Sequence, residues 1–183
     1  MLAALGLMYD NRVMKKSWPA LLLMGFGIVF ILLALGYALY QQRINQVNPA
    51  PLPEELAGLP LRDKFLGSPA LTELSWMHEQ EFQLNQAAVG GYGLSREITL
   101  YVAGTPLSFM AGRMISDMRD KIARADTPFT PLAERDYGGR TVHELVGMGQ
   151  QHYYFRSGKL VIWLAVDEQD AELAFQQALE FYP

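Results

Sequence analysis

The sequence predicts a single transmembrane α-helix followed by an α+β extracytoplasmic domain, in which helices pack on one face of an antiparallel sheet. Three observations lead to this prediction. An uncharged apolar run covers residues 18–40, strand-like runs in the second half of the chain meet at glycine-containing turns, and two amphipathic helical patterns accompany them. The predicted segments are a short cytoplasmic or interfacial stretch (1–17), the helix (18–40), a proline-rich extended spacer (41–68) and the α+β domain (69–183).

The apolar run is long enough to cross a membrane. It contains 23 residues, and a helix of that length covers about 34 Å, against a hydrocarbon core of about 30 Å. Trp18 stands at one end and Tyr37 and Tyr40 at the other, where aromatic side chains favour the membrane interface. The run exceeds the 7–15 apolar residues of a typical signal peptide and ends without a good cleavage site, so we expect a retained anchor.

The charges beside the helix predict its orientation. Arg12, Lys15 and Lys16 precede the run and Arg43 follows it, so the positive-inside rule places the N-terminus in the cytoplasm and the following domain outside the cell membrane. Residues 1–44 hold four of the 15 basic and one of the 19 acidic residues, which leaves a net charge of −7 on the rest of the chain. An acidic domain of this kind is not expected to bind nucleic acid.

The absence of cysteine excludes several cofactor types. The chain cannot hold an iron–sulfur cluster or a structural zinc ion by thiolates, attach a c-type haem covalently, or form a disulfide. A lipid attached to cysteine is excluded for the same reason. The sequence therefore predicts no cofactor.

Small residues within the helix predict packing against other membrane helices. Such residues let two helix backbones approach closely. The predicted helix-packing residues are Gly25, Gly27, Ala34 and Ala38.

Apolar residues on both sides of the helix predict docking on partner subunits. The first nine residues are apolar but too short to span a membrane, and the proline-rich stretch is too apolar for a free linker. The 17 residues before the helix are also expected to be too few for a cytoplasmic signalling domain. The predicted docking residues are Leu2, Leu5, Met8, Leu52, Leu56, Leu59 and Phe65.

The remaining pattern predicts a domain of hairpins and two main helices. A helix capped by Thr105 carries an apolar stripe from Leu107 to Ile122, and Asp167 is the predicted cap of the last helix. Gly138–Gly139 and Ser157–Gly158 are predicted hairpin turns. The continuous apolar run 160–166 predicts a central strand that is covered on both faces or nearly so.

No catalytic, cofactor-binding or metal-binding residue emerges from the motifs. His78 begins a zinc-peptidase-like motif that fails at Phe82. His143, Met148 and His152 are conceivable copper or haem ligands, although structural roles are more typical of strand histidines. For the segment 147–155, GMGQQHYYF, three alternatives stay open: it faces a partner, a ligand or the core.

These observations favour a non-enzymatic function. We expect a single-pass accessory subunit of a larger membrane complex, whose partners are multi-span subunits and lipid and for which a small-molecule ligand is not expected. An energy-transducing assembly, respiratory or photosynthetic, is the expected host. The alternatives are a membrane-tethered binding domain for a small ligand or envelope partner, and an enzyme with an unfamiliar site.

Overall fold

The computed structural model describes residues 12–44, 47–76, 83–124 and 127–183. The chain divides into two compact units, one ending at Arg43 and the other formed by Ile44–Pro183, here called the folded domain. The helices are α1 (Arg12–Ile44), α2 (Ser68–Trp76), α3 (Ser108–Ala123) and α4 (Ala171–Phe181), the last preceded by a 3-10 turn (Glu168–Asp170). The strands are β1 (Asn48–Pro49), β2 (Glu55–Leu56), β3 (Leu59–Leu66), β4 (Gln86–Tyr92), β5 (Ile98–Gly104), β6 (Phe129–Asp136), β7 (Thr141–Gly147), β8 (Gln150–Ser157) and β9 (Leu160–Val166).

Helix α1 contains the predicted apolar run. Its segment Trp18–Tyr40 is the one stretch of the described residues that is long and apolar enough to cross a membrane, as judged by length and composition. A segment of this kind near the N-terminus serves either as a membrane span or as a signal sequence. The side chains of this segment are exposed.

The folded domain is built on a nine-stranded sheet in the order β2-β3-β4-β5-β9-β8-β7-β6. Neighbours in this order are antiparallel, while β1 pairs in parallel with the first residues of β4, next to β3. An α+β domain with an antiparallel sheet is therefore confirmed. Strand β9 lies between β5 and β8, as its continuous apolar run predicts.

The helices pack on both faces of the sheet, so the prediction of a single covered face is wrong. Ile162 and Leu164 belong to a core shared with α4, whereas Val161 and Trp163 belong to a second core shared with α2 and α3. The physical reason lies in strand geometry, because successive side chains point to opposite faces and an unbroken apolar run must bury both. We call these the α4 face and the α3 face.

The predicted spacer is largely part of the folded domain. Strands β1, β2 and β3 lie within residues 41–68, and β3 pairs with β4 over most of its length. The backbone is extended, as its prolines favour, but its apolar side chains supply core residues. The folded domain thus begins before residue 69.

Two glycines lie inside strand β4, at positions where the pattern GGYG (90–93) is typical of a turn. Gly90 and Gly91 pair within the strand with Leu100 and Thr99. A Cβ atom on Gly90 would lie 3.1 Å from the Cδ1 atoms of both Leu52 and Leu61. These two side chains therefore pack directly on the backbone of β4 at Gly90. The glycines therefore permit close packing within a strand.

Three two-residue turns connect the last four strands. Gly138 and Gly139, with φ angles of 64° and 82°, form the first, and Tyr137 and Arg140 exchange backbone hydrogen bonds across it. Such angles at both central positions are typical of hairpins. The second turn, at 148–149, was not predicted. The third consists of residues 158 and 159, because Ser157 pairs with Leu160, and thus lies one residue later than the predicted turn at 157–158.

Neither predicted helix cap forms. Helix α3 begins at Ser108, and the hydroxyl of Thr105 instead lies 2.8 Å from the carbonyl oxygen of Leu107 and 3.1 Å from that of Lys159. Asp167 precedes a 3-10 turn without capping it, and its carboxylate accepts a hydrogen bond from the Gln150 side chain at 3.0 Å. Both side chains therefore fix loops at the ends of strands.

Candidate functional site

A shallow cleft lies on the α3 face, toward the β6 edge of the sheet. Its volume is about 320 Å³. It is lined by residues of α3, β6, β7 and β8: Arg119, Ile122, Ala123, Pro131, Leu132, Ala133, Glu134, His143, Glu144, Leu145 and Tyr154. Most of this lining is apolar, with a few polar groups at defined positions, as in small-molecule sites.

Strand register aligns the polar groups of the cleft with the aromatic core. Glu134 pairs with His143, which pairs with Tyr154, which pairs with Trp163. The His143 ring stacks on Tyr154 with centroids 4.4 Å apart, and Tyr154 stacks on Trp163 at 5.3 Å. The stack fixes the orientation of the imidazole, since a side chain packed between neighbouring strands has little rotational freedom.

Burial favours the neutral form of the His143 imidazole. Burial lowers the pKa of His143, Arg119 lowers it further, and Glu134 partly opposes the shift. The Nδ1 atom lies 3.3 Å from the Glu134 carboxylate, so we assign the Nδ1 proton to this hydrogen bond. The Nε2 atom then holds a lone pair, which can accept a hydrogen bond.

His152 occupies the same face but has no capacity left for a ligand. Its Nδ1 accepts a hydrogen bond from the indole N–H of Trp163 at 3.1 Å, and its Nε2 lies 3.0 Å from the carbonyl oxygen of Gly147. This pair of bonds requires the neutral tautomer protonated at Nε2. Burial lowers the pKa of His152, which also favours the neutral form. His152 is therefore a structural residue of the core.

The other polar groups of the cleft differ in exposure. The Arg119 side chain is about half exposed at the rim, where its guanidinium lies 3.2 Å from the Asp120 carboxylate. The Tyr154 side chain is buried, and desolvation raises the pKa of its phenol well above the usual value. A ligand in the cleft would thus meet an imidazole and a phenol, both favoured in the neutral form by burial, and a half-exposed guanidinium at the entrance.

The conceivable metal ligands are not brought together. Met148 lies in an exposed turn, while His143 and His152 face the α3 core with separate partners. Among the described residues no group of three or more acidic, histidine or cysteine side chains could hold a metal ion. His78 lies outside the described residues.

The second half of segment 147–155 lies in the core. His152, Tyr153, Tyr154 and Phe155 are buried, and they alternate between the two faces of the sheet. The preceding glutamines fix neighbouring elements, since Gln150 bonds Asp167 and Gln151 accepts from the Tyr153 hydroxyl. Of the three open alternatives, the core accounts for residues 152–155.

Three of the predicted docking residues belong to the domain itself. Leu56 is fully buried in the core of the α4 face, and Leu52 and Leu59 pack against the same core. Their apolar character therefore needs no partner. Phe65 remains 37% exposed and stays a docking prediction. Leu2, Leu5 and Met8 lie outside the described residues.

The predicted helix-packing residues lie on two sides of α1. At 100° per residue, Gly27, Ala34 and Ala38 fall within about 40° of one another around the helix axis, whereas Gly25 lies on the opposite side. A second helix could approach one side along the first three. Gly25 would contribute only to a different contact.

The turn glycines already contain a signal for the pairing of Glu134 with His143, which was not among the predicted site features. Counting outward from the Gly138–Gly139 turn pairs residue 134 with residue 143, and the same count across the other two-residue turns adds 154 and 163. The contribution of Arg119 from α3 had no such signal. It depends on how the helix crosses the sheet.

Comparison with protein families, with curated proteins and with solved structures gives no match. Its function is therefore inferred from the arrangement of residues within the chain. It offers two features: an exposed apolar helix with one small-residue side, and a cleft with an oriented neutral imidazole.

Proposed function

We propose that this chain is a non-catalytic, single-pass accessory subunit of a larger membrane protein complex. The observation that carries the proposal is the exposed helix segment Trp18–Tyr40, on which Gly27, Ala34 and Ala38 share one side. Small residues on one side of a membrane helix permit close packing on a second helix. The proposed partners are multi-span subunits and lipid, and the proposed host is an energy-transducing, electron-transfer assembly.

The proposed topology follows from charge. Arg12, Lys15 and Lys16 precede the span and favour a cytoplasmic N-terminus, which places the folded domain on the extracytoplasmic side of the cell membrane. Its net negative charge argues against nucleic acid as a partner. In this topology the domain would cap the outer surface of the host complex.

Co-purification tests the proposal. The full chain carries a tag after Pro183, and native membranes are solubilised gently before capture. We expect multi-span subunits to co-purify in a fixed ratio with the chain. Ala34→Leu should reduce that ratio strongly, because a leucine fills the space that a close helix contact requires.

Leu33→Phe is the matched control for Ala34→Leu. It adds bulk at the neighbouring position, which lies about 100° away around the helix, so the ratio should be retained. A chain that purifies alone and folded contradicts the proposal. Equal loss in both variants would contradict the assignment of the packing side.

The cleft favours a second candidate, a membrane-tethered domain that binds a small ligand. The specific observation is the neutral imidazole of His143, held by Glu134 and Tyr154 beside an apolar lining. The matching ligand is a compact, largely apolar molecule that donates a hydrogen bond to Nε2. Phenol is a suitable probe, because it combines an aromatic ring with a hydroxyl donor.

Titration of the full chain with phenol tests this candidate. We expect saturable NMR shifts of the His143 ring, and His143→Phe should weaken binding by about three- to tenfold, the usual value of one hydrogen bond. Met148→Ala, outside the cleft, should leave binding unchanged. Absence of shifts at His143, or equal binding by His143→Phe, would refute the candidate.

A further inference from the structure

The edge of the folded domain at which the chain enters carries two exposed apolar side chains. Strand register places Asn48 beside Gln86, Gln86 beside Gly104, and Gly104 beside Leu160. We call this row the entry edge. The chain leaves it at Gly104 and forms the start of α3, where Leu107 is 51% exposed and Phe109 is 69% exposed.

The loop before these two side chains is held in place by hydrogen bonds of Thr105. The backbone N–H of Thr105 donates to the carbonyl of Lys159 at 2.9 Å, and its hydroxyl contacts the carbonyls of Leu107 and Lys159. Helix α3 follows directly, with Ser108 as its first residue. The apolar pair therefore projects from a fixed loop and the first turn of a helix, so that little conformational entropy would be lost when it is covered.

Charge differs between the two ends of the sheet. Exposed Arg156 and Lys159 lie at the entry edge, where the Arg156 guanidinium is 3.5 Å from the carbonyl oxygen of Ser108. Arg113 follows Phe109 by one helical turn and lies 3.9 Å from the Asp117 carboxylate, and Asp136 and Glu180 lie farther along the same end. At the opposite end, Leu94 and Met148 are even more exposed. That end carries the acidic residues Glu97, Asp167, Glu168 and Asp170, together with Arg96, which lies 3.5 Å from the Asp63 carboxylate. Basic residues beside apolar ones suit a surface that is both anionic and apolar.

The entry edge is also the part of the domain closest to α1 along the chain. Helix α1 ends at Ile44, and Asn48 follows four residues later. An extended chain covers at most about 3.6 Å per residue, so these four residues reach about 14 Å at most. If α1 spans a membrane, as proposed above, the chain ties the Asn48 end of the entry edge within that distance of the end of α1.

We propose that Leu107 and Phe109 insert into the lipid headgroup region and hold the entry edge of the domain against the membrane surface. Arg113, Arg156 and Lys159 face anionic headgroups around them. The proposal rests on the membrane anchoring of α1 and adds a second contact, which fixes the orientation of the domain. The acidic end then points away from the membrane.

Site-directed labelling of the full chain in lipid nanodiscs tests the proposal. Because the sequence contains no cysteine, Ser108→Cys provides a unique attachment site for a fluorophore and leaves Leu107 and Phe109 intact. The nanodiscs contain phosphatidylcholine, phosphatidylglycerol and a nitroxide-bearing lipid as quencher, with no other protein. We expect the lipid quencher to remove most of the fluorescence at position 108.

Two further labelled variants serve as controls. Ser95→Cys lies beside Leu94 at the opposite end and should remain unquenched, whereas Leu32→Cys lies in the middle of the span and should be quenched completely. Combining Ser108→Cys with Leu107→Ser and Phe109→Ser should reduce quenching to the level at Ser95. Near-UV circular dichroism verifies that each variant is folded.

The outcomes separate the two proposals. If the label at Leu32 is quenched and the label at Ser108 is not, α1 spans the membrane and the lipid contact is refuted. If quenching at Ser108 persists without Leu107 and Phe109, the assigned residues are wrong. If the label at Leu32 is not quenched, both the anchor and the lipid contact fail. If the label at Ser108 is protected from a water-soluble quencher in native membranes but not in nanodiscs, a protein partner covers it and the lipid proposal is overturned.

Discussion

Replacing Phe175 with alanine should lower the free energy of unfolding of the folded domain by about 3–5 kcal/mol. The Phe175 side chain is fully buried on the α4 face. It stacks on Tyr153 with ring centroids 4.4 Å apart and meets Tyr137 edge-on at 5.1 Å. The truncation loses both aromatic contacts and leaves a cavity between α4 and the sheet, which the surrounding residues can fill only partly.

Urea unfolding of the full chain in a mild detergent measures this loss. Near-UV circular dichroism follows the aromatic core, and with a slope of about 2 kcal/mol per molar urea the midpoint should fall by about 2 M. Leu173→Ala is the matched control on the same helix, since Leu173 is 56% exposed and its truncation should cost less than about 0.5 kcal/mol. Equal shifts for both variants would contradict the packing of α4 on the sheet.

The hairpin region shows how far sequence reasoning reaches. Turn glycines at 138–139 and an unbroken apolar run at 160–166 predict antiparallel neighbours and a central strand, and both form. The signals are local, because two-residue turns fix the register of the strands that they connect. Counting outward from the Gly138–Gly139 turn in this way places Glu134 beside His143.

The helix layers could not be predicted in the same way. An amphipathic helix such as α3 shows which of its sides is buried, but not which face of a sheet receives it. The continuous apolar run of β9 already required cover on both faces, and this requirement should have favoured helices on both sides. The depth of the cleft depends on the position of α3 over β6 and β7, a tertiary property with no local signal.

The strands of the predicted spacer were missed for a different reason. The prolines of segment 48–66 reduce its strand signal because they favour extended spacers, and the glycines of β4 reduce the signal at the end of that strand because they favour turns. In the folded domain Gly90 makes room for Leu52 and Leu61. The small residues of β4 thus leave space for apolar side chains from segment 48–66, which has the composition of a linker.

Acidification from pH 7.5 to 5.5 should destabilise the folded domain through His143 and His152. Burial lowers the pKa of both histidines in the folded state below the ordinary value of 6.5. Below pH 6.5 the unfolded chain therefore binds protons that the folded chain does not. The free energy of unfolding should fall with decreasing pH, by up to about 1.4 kcal/mol per pH unit for each histidine until its folded-state pKa is reached.

Urea unfolding of two variants between pH 7.5 and 5.5 measures how much of the fall in unfolding free energy each histidine contributes. His143→Phe keeps a ring stacked on Tyr154 but removes the titrating group, so the pH dependence should shrink by the contribution of one histidine. His152→Gln removes the other contribution and also lowers stability at every pH, because the bonds to Trp163 and Gly147 are not matched in geometry. A pH dependence that is unchanged in both variants would contradict the assignment. Rising stability with falling pH would show instead that protonated His143 is stabilised by Glu134 more than burial opposes it.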